Sequence, residues 1–404
     1  MRKLIFIFVG IVFLSSFYGR FDVTFVFQTN IAIAQTSEDE DVQEQLQDEI
    51  ASQLETLDFS EIETALGVLS TEAKGLFSSN SFSQKVTYVI SGEYAESGEN
   101  FFSSVLSIFW GDLKNYIPII ACIISVATLG GMISSLKPAF GAKGVGEIVH
   151  FVTYGIVLVF LGTIVYQIIE LTSSTLTAVK TVFDAIFPVL LTLLTGLGGS
   201  VSVGIYQPAI AMLGNGFVYL ITYFLLPVLI FSIVFSIIGN LSNRMQLGQF
   251  VAFLQSLFKW AIGLCFTIFL GFVSIEGVVA GSVDGLSIRT AKYALKSYVP
   301  IVGGYVSDGL AVILASTSLI KNAVGGVGLF LLLSTVISPI LNIAIFMLAL
   351  KFIAGIVEPI GDKKIANFVS ELSKSMSLLI ALLVAVAFMY VVLTGLIMCS
   401  ANLI

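Results

Sequence analysis

Residues 377–399 read SLLIALLVAVAFMYVVLTGLIMC, a run of about twenty residues without one charged side chain. At 1.5 Å of rise per residue, such a run crosses a hydrocarbon core of roughly 30 Å as a single helix. Five similar runs lie upstream, at about 116–136, 148–169, 217–239, 261–281 and 336–357. The composition agrees with them: of 404 residues, 57% are hydrophobic and 11% charged, against roughly 25% charged in soluble domains. A chain this apolar has too little polar surface to face water. The sequence therefore predicts an all-α polytopic membrane protein with about six transmembrane helices and the lipid bilayer as its main solvent.

The basic residues orient these spans. Lys137 and Lys143 separate the first two, Arg244 and Lys259 the third and fourth, and Lys363, Lys364 and Lys374 the last two. The positive-inside rule places these short loops in the cytoplasm, so the spans pair into three hairpins whose interconnections lie outside. The N-terminus points the same way. Arg2 and Lys3 precede the apolar run Leu4 to Phe17, and Ala32-Ile33-Ala34 has the pattern of a cleavage site. Residues 1–34 are read as a signal peptide, with an uncleaved anchor as the alternative. Either one exports the segment that begins at Gln35.

Residues 35–115 change character. They hold sixteen Asp and Glu against Lys74, Lys85 and Lys114. Asp39, Glu40 and Asp41 suit a helix start, where carboxylates meet the positive end of the dipole. Val42, Leu46, Ile50, Leu54 and Leu57 then form one apolar stripe on a polar helix. That stripe needs a partner, which is the rest of the segment, the membrane surface or another protein. Gly92, Gly98 and their polar neighbours read as a loop, and Phe101 to Trp110 as an interfacial stretch. The segment is thus an acidic, helical, extracytoplasmic one. An acidic segment on a mildly basic membrane body lacks the clustered basic face of a nucleic-acid binder.

Residues 116–404 form the polytopic domain. Within it, Pro188 and Pro300, Gly214 and Gly326, Gly216 and Gly328, and Pro227 and Pro339 recur at one offset. That spacing predicts parallel internal repeats over about 171–281 and 282–399, related by an axis along the membrane normal. Between the hairpins, 185–216 and 299–328 are apolar but rich in Gly and Pro, and are read as broken, re-entrant segments. Irregular backbone at membrane depth survives only when buried in protein or lining a cavity. From these segments come candidate conduit or partner-contact residues: Pro188, Pro208, Pro300, Gly303, Gly304, Asp308, Lys321, Asn322 and Gly325. Ordinary kinked spans are the competing reading.

Charge within apolar runs is costly unless paired or hydrated. Lys321 has the strongest claim to a polar interior, since Lys351 has a route to the cytoplasmic interface and Glu276 lies near the outer surface. Arg289, Lys292 and Lys296 share one helical face in an exterior segment, against the positive-inside trend, and suit lipid phosphates, an acidic partner or plain water. His150 is the only histidine, and Cys122, Cys265 and Cys399 lie apart in apolar runs. No metal set, cofactor motif, P-loop or nucleophile elbow is present, so the chain is not read as an enzyme.

The stretch Gly285-Leu286-Ser287-Ile288-Arg289-Thr290-Ala291-Lys292-Tyr293-Ala294, with Val299-Pro300-Ile301-Val302-Gly303-Gly304, Ser307-Asp308 and Lys321-Asn322-Ala323-Val324-Gly325, resembles the stage III sporulation protein AE family of endospore-forming Firmicutes. The resemblance implies a non-enzymatic membrane subunit of the channel complex that joins mother cell and forespore, needed for forespore development after engulfment. It implies a place in the mother-cell membrane around the forespore. Its implied partners are the other membrane subunits of the stage III complex and, directly or indirectly, a cytoplasmic ATPase. It supplies no catalytic residues. A self-sufficient secondary transporter with a re-entrant substrate pathway, and a structural scaffold, are the alternatives.

Overall fold

The computed structural model describes residues 40–77, 81–92, 97–135, 145–241, 247–298, 303–361 and 363–400, and every regular element among them is helical. The acidic segment forms α1 (Glu40–Thr56), α2 (Ser60–Val68), α3 (Thr71–Phe77) and α4 (Phe82–Ser91). The body forms α5 (Ser97–Ser135), α6 (Val145–Gly196), α7 (Ser200–Leu220), a π turn (Ile221–Leu225), α8 (Leu226–Leu241), α9 (Gly248–Tyr298), α10 (Gly303–Ile360) and α11 (Lys363–Cys399). The signal-peptide region, Pro300 and the loop residues Lys137, Lys143 and Arg244 lie outside the described residues.

Among the described residues, six stretches are long and apolar enough to cross a membrane: Phe101–Ile133, Ile148–Gly196, Ser200–Leu241, Gly248–Ser274, Gly309–Pro359 and Lys363–Cys399. Each expected run falls on one of them. The chain is a multi-pass helical membrane protein. Its helices are much longer than the runs that announced them. α6 has 52 residues and α10 has 58, and at 1.5 Å per residue α10 extends about 85 Å, far beyond one hydrocarbon thickness.

The chain divides into two compact units. One takes in Met1–Leu57 and Ala291–Ile320, and here α1 is hydrogen-bonded to α10. Ile50 is buried, and the Gln53 amide donates to Ser316 Oγ (3.1 Å) and accepts from Thr317 Oγ1 (3.0 Å) on α10.

The other unit takes in Asp58–Thr290 and Lys321–Ile404. In it α2 to α4 form a small apolar cluster. Ile62, Phe82 and Val86 are fully buried, and Phe59 and Phe82 lie 5.6 Å apart. The Ser81–Gln84 capping box starts α4, and Gly92, at φ 79°, ends it. The Asp58 carboxylate accepts from the Ser60 N–H at 2.8 Å, and its bonds to Ser60 hold it below the usual carboxylate range. Phe77 of α3 reaches Phe330 of α10, with centroids 6.1 Å apart. α6 packs on α5, α2, α7 and α11, and α8 packs on α11.

Lys85 of α4 is buried with its amine 4.4 Å from the Phe77 ring centroid, and burial pushes its pKa down. The charged form is therefore penalised in the fold. That penalty is full below the folded pKa and fades as pH rises toward the unfolded value. Lys85→Met is expected to keep the fold and flatten the rise in stability on the alkaline side of neutrality. Thermal midpoints of the purified protein across that range check this, and an unchanged slope would count against it.

The interruptions expected in 185–216 and 299–328 take a narrower form. Pro188 sits inside α6 and Pro208 inside α7, both exposed. The break between those helices is one tight turn. Gly198, at φ 79°, donates to Thr195 O, and Gly199 donates to Leu194 O at 3.0 Å, the two bonds of a Schellman stop. A side chain on Gly199 would meet Leu194 O at 2.9 Å. In the other segment α10 runs unbroken from Gly303 through Gly328. Glycine costs a helix only about 1 kcal/mol relative to alanine, which packing outweighs. Gly98 likewise lies within α5 and not in a loop. The π turn precedes Pro227, whose missing N–H leaves the ordinary ladder incomplete at that point.

Candidate functional site

Lys321, Asn322 and Gly325 come together where α10 meets the end of α11. Lys321 is 0% exposed, and its ammonium donates to the Ser400 carbonyl. Ser400 lies just past α11, where the last carbonyls lack intrahelical partners and the helix dipole is negative. The last turn of α11 has no basic residue of its own, so the cation comes from α10. The Ser400 hydroxyl donates back to Leu396 O at 2.8 Å and shares a 2.6 Å hydrogen bond with the Tyr206 hydroxyl of α7.

Close backbone approach makes this possible. A Cβ on Gly325 would lie 2.4 Å from Met398 Cγ, and one on Gly328 would lie 3.0 Å from Ile186 of α6. Asn322 is buried beside Lys321. Further back along α11, the Tyr390 hydroxyl donates to Gly214 O at 3.3 Å, and its ring lies 4.6 Å from Phe183. α6, α7, α10 and α11 thus converge on a buried polar clasp. Its chemistry is that of a helix cap: a cation and two hydroxyls gathered on the last carbonyls of α11.

The other expected site residues are spread along the helices. Glu276, Arg289 and Lys292 lie on α9, and Gly303, Gly304 and Asp308 on the first turns of α10. Lys351 of α10 is exposed.

A second polar cluster had no counterpart among the expected sites. The Glu371 carboxylate of α11 accepts from Ser236 Oγ and from Asn240 Nδ2 (3.1 Å), both on α8. Nearby, the buried Tyr154 of α6 donates to Ile237 O at 2.9 Å and lies 5.3 Å from the Phe368 ring. Glu371 is one of few acids in the membrane body, which was the available signal. Its partners, 131 and 135 positions away, were not.

Beside the π turn, a crevice is lined by Phe217, Ile221, Leu225, Phe269, Leu382 and Met389, with Cys265 also in its wall. These side chains offer little to orient a polar substrate. Among the described residues, no three His, Cys, Asp or Glu side chains form a metal-binding group.

Comparison with known proteins returns one consistent description. The family model for stage III sporulation protein AE matches residues 80–401. The stage III sporulation protein AE of Bacillus subtilis (strain 168) is 24% identical over 369 residues, covering 91% of this chain and 92% of that protein. No solved structure matches the chain.

Proposed function

The chain belongs to the stage III sporulation protein AE family, and from that membership we propose that it is a non-enzymatic membrane subunit of the channel complex linking mother cell and forespore. It acts in the mother-cell membrane around the forespore, with α1 to α4 on the extracytoplasmic side. The observation that carries this reading is the family match, which runs from the acidic segment to the end of α11. The clasp at Lys321 and the glycine contacts around it support a structural role, because they hold α6, α7, α10 and α11 together. Partners are the other membrane subunits of the stage III complex and, directly or through them, a cytoplasmic ATPase.

The test is affinity purification of the tagged full chain from sporulating cells in mild detergent. Other members of the stage III complex are expected in the eluate. Substrate-dependent flux by the purified chain alone in liposomes would favour a self-sufficient transporter instead. Arg289→Glu is expected to reduce recovery of a partner on the extracytoplasmic side, since it reverses one charge of the α9 basic face. Unchanged recovery of every member would remove Arg289 from that contact.

A further inference from the structure

α6 changes its solvent partway along. Up to Tyr166 its exposed residues are large and apolar (Ile148, Phe151, Val152, Ile156, Val159 and Phe160), with Thr163, whose hydroxyl donates to Val159 O, as the one polar exception. From Gln167 to Ser200 it exposes no large apolar side chain. The same side of the helix now carries Gln167, Glu170, Ser174, Thr177, Asp184 and Thr192. The hydroxyls do not decide the matter, since Thr177 and Thr192 satisfy themselves on carbonyls one turn back, as they also do in lipid. The charges do. Glu170 is exposed, and Lys180 and Asp184 form an ion pair with side chains 34% and 48% exposed. Facing lipid, such charges cost several kcal/mol.

Length leads to the same place. Ile148 to Tyr166 spans about 27 Å, already one hydrocarbon thickness. The helix then continues to Gly196 without a break, for about 45 Å more. A continuous helix cannot reverse into a bilayer it has just crossed. α7 returns beside it, exposing Gly204, Gln207, Pro208, Asn215 and Gly216, with Val201 and Met212 as apolar exceptions. Apolar exposure then resumes with Phe224, Phe231, Val234 and Ile238.

Aromatic residues mark the change on three helices. Tyr166 is 67% exposed on α6, Tyr219 and Tyr223 are 65% and 67% exposed across the end of α7 and the π turn, and Trp110 is 52% exposed on α5. Exposed Trp and Tyr collect at membrane–water interfaces. From Tyr219 to Ile238 is about 28 Å and from Trp110 to Ile133 about 34 Å, so three helices give one thickness independently.

We propose that the bilayer meets α5, α6 and α7–α8 along a single band whose outer edge is the belt of Trp110, Tyr166, Tyr219 and Tyr223, and that the α6–α7 hairpin from Gln167 to Gly216 stands in water outside the cell membrane. The basic residues Lys137, Lys143 and Arg244 follow or precede the opposite helix ends in sequence, which puts the hairpin on the extracytoplasmic side. This inference does not depend on membership of the channel complex.

The test uses the full chain in intact protoplasts, with Cys122, Cys265 and Cys399 replaced by alanine and single cysteines returned at Ser174, Thr177, Thr192, Val159 or Phe231. A membrane-impermeant maleimide is added before lysis. Cysteines at 174, 177 and 192 are expected to react, and those at 159 and 231 to stay unreacted until detergent is added. Reaction at 174, 177 and 192 only after lysis would place the hairpin in the cytoplasm. Reaction only in detergent would return it to the bilayer. Either outcome overturns the proposal, and three positions on the hairpin keep it open to refutation if one variant fails to accumulate.

Discussion

Gly130→Val is expected to lower the thermal midpoint of the purified protein sharply, while the same change at Gly155 or Gly162 leaves it nearly unmoved. A Cβ at Gly130 would lie 2.4 Å from Thr153 Oγ1, 2.6 Å from Thr153 Cγ2 and 3.0 Å from Thr153 Cβ. Thr153 is buried and part of α6, and turning its side chain about χ1 would leave its Cβ where it is, still 3.0 Å away. The backbones of α5 and α6 must therefore move apart, and this is a main helix contact of the body. The neighbouring turn cannot absorb the shift, because a Cβ on Gly361 would already sit 3.1 Å from Ala127 O of α5. Overpacking costs roughly 1–3 kcal/mol in ordinary cores, and the upper end applies where stiff atoms meet. Nothing lies within 4 Å of a Cβ at Gly155 or Gly162, so those positions are matched controls on the same pair of helices. Thr153→Ala in the Gly130→Val background should recover part of the loss, a coupling that distant sites do not show. Equal midpoints for valine at 130 and at 155 would disprove the close approach.

The apolar runs were legible because the hydrocarbon core selects for them directly. Their true lengths were not, since hydropathy registers only the stretch that lipid requires. α6 continues from Tyr166 to Gly196 through Glu170, Lys180 and Asp184 into the apolar stretch from 185, which its Pro and Gly content set apart as a separate, broken segment. Pro188, Pro208 and the glycines of 303–328 looked like breaks because local propensity disfavours them in helices. Packing of α10 and α6 against their neighbours outweighs that preference, and among the described residues of those two segments a helix ends at Gly198–Gly199. Nothing in the polar face of α1 announced that Gln53 would meet Ser316 and Thr317, 263 and 264 positions away. Lys321 stood out in the sequence because its amine had no short route to an interface. The group that receives it, a carbonyl, is one that every residue carries, so no residue type could have revealed Ser400.

Lys321→Leu is expected to be far more damaging than Lys351→Leu, although both remove one lysine from the same helix. Lys351 is exposed, and its loss should change stability by no more than about 0.5 kcal/mol, as for other surface positions. Lys321 is fully buried, and leucine there removes a charge-assisted hydrogen bond and leaves the Ser400 carbonyl without that donor. Such a loss costs about 1.5–3 kcal/mol. It falls on the end of α11, whose negative dipole end would then lack the cation it receives from α10. The expected signature is local as well as global: a lower thermal midpoint, and faster amide exchange over the last turn of α11 than over its middle. Tyr206→Phe should give a smaller change of the same kind, because it removes the 2.6 Å bond to the Ser400 hydroxyl but leaves the carbonyl contact in place. In sporulating cells, Lys321→Leu should reduce assembly of the complex and spore yield below those of Lys351→Leu. Equal and mild effects of the two leucine variants would mean that the clasp does not hold α11, and that the burial of Lys321 has some other origin.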